Sequence, residues 1–322
     1  MSRYTAAIIG LGQIGQGYDY SNSNSDLVLT HATALQLHHD FEVIAAVDPS
    51  QTQQDKFRDK FLISTFNNLQ NLYLECNPDI VVIAAPIEYH VSVFLKVIKH
   101  SPKAIVLEKP VADDYINAKA LLKVATEKKC PVSVNYLRRF NPALKSLKNI
   151  IARKELGNIY KGTAWYTKGI INGGSHFIDL FIWLLGDVTS IEVLNSKRAW
   201  NDVDPEPDLC IRFGDIDMYM LSGHEESFYM GKFELIGDGG AAFYEDGKSI
   251  EVHLSENDPV YEKYKELVKN RRIENSIEKD MLFGYDNLSE HLGSGKELTS
   301  SIKTATNTML VVHQILEKIR TL

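Results

Sequence analysis

Residues Ala6 to Gly15 read AAIIGLGQIG, an apolar run that passes straight into a Gly-x-Gly-x-x-Gly turn, and no other stretch restricts the fold so much. A short continuous apolar run that opens into spaced glycines predicts a buried parallel strand turning into a helix over a dinucleotide. Gly10 lets the chain turn tightly, Gly12 lets the backbone approach a pyrophosphate, and Gly15 lets the following helix pack close to the sheet. The helix start then supplies unpaired N–H groups and the positive end of a dipole, so no basic side chain is required. Gln13 and Ile14 lie within the same turn and are expected to join the three glycines at the cofactor.

A second apolar run, Phe41 to Val47 (FEVIAAV), ends on Asp48. At the end of a second parallel strand this carboxylate is placed to accept hydrogen bonds from the adenosine ribose hydroxyls, and it would repel a 2′-phosphate. Pro49, Ser50 and Gln51 offer no cation to hold such a phosphate, and Lys56 and Arg58 lie further down the next helix, so NAD is favoured over NADP. The acidic residue ordinarily follows the last glycine by about 20 residues, and here the gap is longer. The excess lies in Gly17 to Leu29 (GYDYSNSNSDLVL), a polar stretch that reads as an inserted loop before a helix around Thr30 to Leu37. Beside a pyrophosphate, such a loop is either a lid or a surface insertion without a role.

The chain has 322 residues, 44% hydrophobic and 24% charged, the composition of a globular protein of about two domains. No apolar stretch approaches the length of a membrane span, and the first strand begins almost at once after Met1, so a cytoplasmic location is expected. Cys76, Cys130 and Cys210 lack metal-like spacing and read as buried structural thiols in a reducing compartment, with no metal site expected. Net charge is −7 with no basic run, which argues against nucleic acid or anionic membrane surfaces as partners.

Apolar runs at Ala6–Gly10, Phe41–Val47, Ile80–Ala84, Ala104–Leu107 and Val132–Tyr136 alternate with helical patterns, which predicts an α/β fold with a doubly wound parallel (Rossmann) sheet over residues 1–136. From about Leu137 the texture changes. Runs at Ile159–Ile171, Ser190–Trp200, Leu209–Leu221 and Phe233–Val252 follow one another without regular intervening helices, so residues 137–322 are expected to form an α+β domain with a largely antiparallel open sheet. A polar helix is expected over Pro259–Arg272. A closing amphipathic helix, about 298–320, is expected to pack back on the first domain.

Four stretches carry the chemistry: AAPIEYH (Ala84–His90), LEKP (Leu107–Pro110), NYLRRFNP (Asn135–Pro142) and NGGSHFIDLFIWLLG (Asn172–Gly186). Ala85 and Pro86 end a parallel strand, where open α/β sheets place their ligand crevice. His90 either packs near a nicotinamide ribose or faces solvent at a helix start. Glu108 and Lys109 end the next strand in the same crevice, and the Lys109–Pro110 bond is a candidate for the cis form. Lys109 is either an ordinary lysine at a strand end or the cation that hydrogen-bonds a substrate oxygen as negative charge develops on it. The run Phe177–Leu185 is apolar on all sides and predicts a buried helix, which puts His176 in its first turn. A helix N-terminus disfavours imidazolium, leaving a neutral ring able to accept a hydroxyl proton. The alternative is a core histidine bonded to a carbonyl. Asp179, three residues on, shares that face and either holds the ring, binds a substrate hydroxyl, or pairs with Arg138 or Arg139 as a buried carboxylate.

Together with the glycine turn before them, and FELIGDGGAAFYEDG (Phe233–Gly247) and the closing helix after them, these motifs resemble the glucose-fructose oxidoreductase, inositol dehydrogenase and rhizopine catabolism (Gfo/Idh/MocA) oxidoreductases over nearly the whole chain. The resemblance implies an NAD-dependent enzyme that moves hydride between nicotinamide and a secondary alcohol or ketone of a sugar, sugar nucleotide or cyclitol. It implies Lys109 and His176 as acid/base groups. Asn172 and Asp179 are expected substrate contacts, and Arg138, Tyr166 and His224 are candidate contacts by rough position.

Asn172 departs from the common pattern of that family, in which aspartate stands four residues before the histidine. It is expected either to cap the helix or to bind a substrate hydroxyl. Asparagine here is similar to what members acting on the 3-hydroxyl of nucleotide-linked sugars carry. Other readings are a reductase of a keto sugar working in the opposite direction, and a non-catalytic NAD-binding sensor, which would need neither Lys109 nor His176. The alternations Leu209–Ile211–Phe213 and Met218–Met220 predict a sheet face that helices cover on one side and a second subunit on the other, giving a homodimer or homotetramer.

Overall fold

The computed structural model describes residues 3–21 and 27–322. The chain divides into two units, Met1–Phe140 with Glu278–Met309 and Asn141–Ile277 with Leu310–Leu322. The first boundary falls at Phe140 rather than at residue 136, and the segment Glu278–Met309 belongs with the first unit rather than the second.

The first unit opens with β1 (Tyr4–Ile9), α1 (His31–Leu37), β2 (Phe41–Val47), α2 (Gln51–Phe61), β3 (Ser64–Phe66), α3 (Leu69–Glu75), β4 (Ile80–Ile83), α4 (Ile87–Val97), β5 (Ala104–Leu107), α5 (Tyr115–Glu127) and β6 (Val132–Val134). The six strands are parallel in the order β3-β2-β1-β4-β5-β6, so the order reverses between β1 and β4. Every residue of β4 and β5 is buried, as their unbroken apolar runs require of strands covered on both faces. β3 was absent from the five expected strands, because its three residues, Ser-Thr-Phe, are none of them buried.

The second unit holds α6 (Pro142–Ala152), β7 (Ile159–Tyr166), α7 (Ser175–Leu185), β8 (Val188–Asn195), β9 (Ala199–Asn201), β10 (Asp204–Pro205), β11 (Asp208–Phe213), β12 (Ile216–Ser222), β13 (Lys232–Gly237), β14 (Gly240–Glu245), β15 (Ser249–Asn257) and β16 (Lys265–Glu274). Eight strands form one sheet in the order β16-β15-β14-β13-β7-β12-β11-β8, antiparallel except for the β7–β12 pair. The helix expected over Pro259–Arg272 is instead the exposed edge strand β16. Lys, Glu and Arg favour helix there, but the backbone pairs with β15 along its length, and charged side chains on such an edge discourage pairing with foreign chains.

Leu209, Ile211, Phe213, Met218 and Met220 all pack into this unit's own core with Phe177, Ile178, Leu180 and Phe181 of α7. The apolar alternations therefore need no second subunit to cover them. The opposite face carries Thr163, Trp165, Glu234 and Phe243, half-buried, with Thr163 Oγ1 donating to Glu234 at 2.7 Å.

Two closing helices follow, α8 (Asp280–Ser294) and α9 (Ile302–Arg320). Met281, Tyr285 and Leu288 of α8 join the core that holds Ala6 and Ile8 of β1, while Ile302, Ala305 and Met309 of α9 join the core that holds Val132 and Val134 of β6. The Val134 N–H donates to the Ser300 carbonyl at 2.9 Å, which extends the edge of the parallel sheet with residues from the end of the chain. Cys210 is buried while Cys76 and Cys130 are half-buried, and burial pushes the Cys130 thiol up to about 11. Among the described residues no helix is long and apolar enough to cross a membrane.

Candidate functional site

The glycine turn sits at the point where the strand order reverses. Gly10 has φ +96°, and a Cβ there would lie 2.5 Å from the Ala84 carbonyl oxygen, so the turn is pressed against the end of β4. At Gly15 a Cβ would lie 2.2 Å from the Gly10 carbonyl oxygen. Gly12 differs, because among the described residues nothing lies within 4 Å of the Cβ it lacks. The space above Gly12 is open, as a backbone that must meet a pyrophosphate requires.

The helix expected directly after the glycines is a single wide turn over Gln13–Gly17, in which Gly17 N–H reaches the Gly12 carbonyl at 3.1 Å and Tyr18 N–H the Gln13 carbonyl at 2.9 Å. The regular helix α1 begins only at His31, after the insertion. Residues 22–26 of that insertion lie outside the described residues, and with them the expectation of a lid. Its two flanks are tied together by the Asp19 carboxylate, which accepts from the amides of Leu29 at 2.9 Å and Thr30 at 3.1 Å and from the Thr30 and Thr33 hydroxyls at 2.8 and 3.0 Å.

Asp48 follows β2 and accepts the Leu11 N–H on Oδ2 and the Ser50 N–H on Oδ1, both at 2.8 Å. It thus fixes the glycine turn as well as its own. A carboxylate offers about four acceptor positions, so capacity remains for ribose hydroxyls. The open space over Gly12 and this half-buried acceptor fit a dinucleotide.

Ala85 and Pro86 follow β4, with Pro86 capping α4. His90 neither faces solvent nor has a nitrogen to offer a ribose. It is 1% exposed, with Nδ1 3.0 Å from the Pro110 carbonyl oxygen and Nε2 2.9 Å from that of Ala85. The ring is a brace between the two strand ends that carry Pro86 and Lys109. The Lys109–Pro110 bond is cis, and the Lys109 side chain is half-buried.

Glu108, expected at the cofactor, is instead buried in a network of its own. Its Oε1 pairs with His31 Nε2 at 2.9 Å and accepts from the Asn135 amide, while His31 Nδ1 lies 2.8 Å from the Tyr285 hydroxyl. His31 Nε2–H donates to Glu108, and Nδ1 shares a hydrogen bond with the Tyr285 hydroxyl in either protonation state, so both ring nitrogens are engaged. Burial pushes the Glu108 carboxyl up, but the hydrogen bond and charge of His31, the Asn135 amide and the charge of Lys109 outweigh it and hold the group below its ordinary value. Stability from a carboxyl lowered in this way is fully present above its unfolded pKa, about 4.3, and is lost as pH falls through the lower folded value. The gap in melting temperature between wild type and Glu108→Gln is therefore expected to shrink as pH is lowered from about 6 towards about 3. A gap that stays constant would show that the network does not hold a carboxylate.

In the second unit β7 runs into a wide turn over Gly169–Gly174, with Gly173 N–H bonded to the Lys168 carbonyl at 3.1 Å, and α7 continues from it. His176 is the second residue of α7 and half-buried, while Asp179 is 1% exposed. Asn172 lies inside the turn and does not cap α7, whose cap position is Gly174. Its carbonyl accepts from Ser175 Oγ at 3.2 Å. The amides at the start of this helical run are met by two buried carboxylates, Asp204 and Glu206, so His176 does not face a free helix start. Tyr166 is displaced from the expected substrate set. It is fully buried, its hydroxyl donates to the Pro207 carbonyl at 2.6 Å, and burial with nearby carboxylates pushes its pKa well up. Arg138, in the first unit, is half-buried. His224 is exposed and lies against Arg198, 2.7 Å from its Nη1.

One group of possible metal ligands gathers among the described residues, His38, His39 and Asp40, with ligand atoms within 4.8 Å of one another. Both His38 nitrogens are already engaged, Nε2 with Asp286 at 3.1 Å and Nδ1 with the Asp40 N–H at 3.2 Å, so the group is complete without an ion.

A 3-2-1-4-5-6 parallel sheet with an open glycine turn at its switch point and a carboxylate after the second strand defines a Rossmann-type dinucleotide-binding protein. Residues 4–136 match the Gfo/Idh/MocA oxidoreductase family, NAD-binding Rossmann fold, so this part of the chain is an NAD-binding Rossmann domain similar to that family's. It is 27% identical over 224 residues to the rhizopine catabolism protein MocA of Rhizobium meliloti, covering 65% of this chain and 66% of that one. It is 24% identical to the inositol 2-dehydrogenase of Rhizobium meliloti (strain 1021), over 77% of this chain and 72% of that one. Other curated relatives are matched over about half of their length. The WlbA dehydrogenase of Bordetella pertussis, solved with NADH and UDP-GlcNAcA, shares the fold with a TM-score of 0.79 at 18% identity, over 99% of this chain and 96% of that one.

Proposed function

We propose that the chain is an NAD-dependent dehydrogenase or reductase acting on a secondary alcohol or ketone of a sugar, sugar nucleotide or cyclitol. The observation that supports this reading is that the first unit holds an open glycine turn and Lys109 at the end of β5, while the second holds a half-buried His176 at the start of α7. Bound NAD supplies the hydride acceptor. His176 takes the hydroxyl proton, and Lys109 holds the oxygen that becomes the carbonyl, which lowers the cost of its developing negative charge. Asn172, Asp179 and Arg138 orient the substrate hydroxyls. Uncharged Asn172 supports a sugar-nucleotide substrate, the chemistry found in the WlbA structure.

The test is a single-turnover assay at high enzyme concentration, following NADH absorbance with NAD against UDP-, dTDP- and GDP-linked sugars, free aldoses and inositols. A signal with one class establishes the dehydrogenase. Silence, with NAD binding intact, shifts the reading to a keto-substrate reductase, and failure in that direction too leaves a sensor.

NAD is the proposed cofactor over NADP because Asp48 ends β2 with no cation at residues 49–51. Asp48→Ala is expected to weaken NAD far more than NADP in fluorescence titrations, and equal loss for both would remove the argument. A homodimer or homotetramer through the second-unit sheet also remains our proposal, now resting on its half-buried aromatic and polar outer face. Light scattering is expected to give two or four chain masses, and a monomeric mass would overturn it.

A further inference from the structure

Two carboxylates lie buried under the turn that leads to His176. Asp204 is 4% exposed and Glu206 3%, and they come from the β9–β10 ribbon, some thirty residues beyond the turn. Asp204 accepts the Ile171 N–H on Oδ1 at 2.8 Å and the Asn172 N–H on Oδ2 at 3.0 Å. Glu206 accepts the Gly169 N–H on Oε1 at 3.3 Å, and its Oε2 lies 3.4 Å from Arg198 Nη2. These are the amides that the start of a helical run leaves without partners, and Lys168, at the cap of the wide turn, meets none of them with its side chain. The fit is close, since a Cβ on Gly169, at φ +73°, would lie 2.1 Å from Asp204 Cγ. The ribbon is fixed in turn, with Asp204 N–H donating to Asn201 Oδ1 and Glu206 N–H to the Arg198 carbonyl, both at 2.9 Å.

We propose that Asp204, seconded by Glu206, is the positioning residue of the turn that carries Asn172 and leads to His176, and that its charge is what requires an uncharged residue at 172. The functional weight of this inference rests on the reading of Asn172 and His176 as substrate-facing groups. Covalent geometry keeps a side chain near its own amide, so a carboxylate at 172 would stand within about 8 Å of the Asp204 oxygen bonded to that amide. Like charges repel strongly in such a part-buried setting. Burial already pushes the Asp204 carboxyl up, the turn amides oppose this, and the charge of Glu206 adds to it. Tyr166 and Asp208 share the neighbourhood, and the guanidinium of Arg198 bonds to Glu206.

Hydrogen–deuterium exchange of the full chain tests this without a substrate, comparing wild type, Asp204→Asn, Asn172→Asp and the double variant. Each single substitution is expected to speed exchange of the amides at 169–176 by about tenfold or more, with the rest of the unit unchanged, and the double variant to exchange no faster than Asp204→Asn alone. Additive acceleration in the double variant overturns the proposal, as does an inert Asn172→Asp. Acceleration spread over the whole unit also overturns it, assigning Asp204 to general stability. The coupled exchange pattern in a protein that turns over no substrate would leave the positioning role standing and remove the dehydrogenase reading. Uncoupled exchange beside His176-dependent turnover would do the reverse.

Discussion

Replacing His176 with alanine is expected to lower the rate of hydride transfer by about 100- to 10,000-fold, the usual contribution of a positioned acid/base group. NAD binding should be untouched, because the glycine turn and Asp48 belong to the first unit and His176 to the second. The ring is half-buried on the second residue of α7, and the amides at the head of that helical run are taken by Asp204 and Glu206. Lys109→Ala is expected to cost a comparable factor, since a cation that stabilises a developing oxyanion acts in the same step. If the two groups serve one proton path, the double variant will be little slower than either single one. Single-turnover rates beside NAD titrations separate the outcomes, and a His176→Ala protein that reacts as fast as wild type would take His176 out of the chemistry.

How much of this was legible in the sequence depends on whether a residue's role is local. β1, β2, β4 and β5 show themselves because strands covered on both faces must be continuous apolar runs, and Asp48 shows itself by standing at the end of one of them. β16 misleads because its Lys, Glu and Arg carry helix propensity, while pairing with β15 decides its conformation. His90 and Tyr166 stand beside strands that the sequence shows, but nothing local says that their polar atoms are taken up by the carbonyls of Ala85, Pro110 and Pro207. His31 and Tyr285, 254 positions apart, meet only through the fold, and so does Asp204 beneath a turn some thirty residues before it. The stretch Asn201–Asp208, NDVDPEPD, reads locally as a solvated acidic turn. Long-range burial turns two of its carboxylates into partners for the backbone amides of 169, 171 and 172.

The glycine turn allows a sharper separation of folding from binding than any catalytic substitution. Gly12→Ala is expected to leave the melting temperature unchanged and to weaken NAD by about 100-fold or more, a loss of at least about 2.7 kcal/mol in binding. Among the described residues nothing lies within 4 Å of the added methyl group, and Gly12 has φ −73° and ψ −157°, a conformation that any residue adopts. The methyl group thus costs the empty fold nothing and meets only what approaches the turn from outside. Gly10→Ala and Gly15→Ala should lose binding for a different reason. A methyl group at Gly10 would be driven onto the Ala84 carbonyl, with φ +96° adding backbone strain, and one at Gly15 would be driven onto the Gly10 carbonyl, so both variants should melt earlier. Calorimetric melting beside NAD titration distinguishes the three. Should Gly12→Ala melt early, the turn is held by contacts around Gly12 that the fold does not show. Should it bind NAD as wild type does, the pyrophosphate lies elsewhere, and the cofactor site would have to be moved from the end of β1.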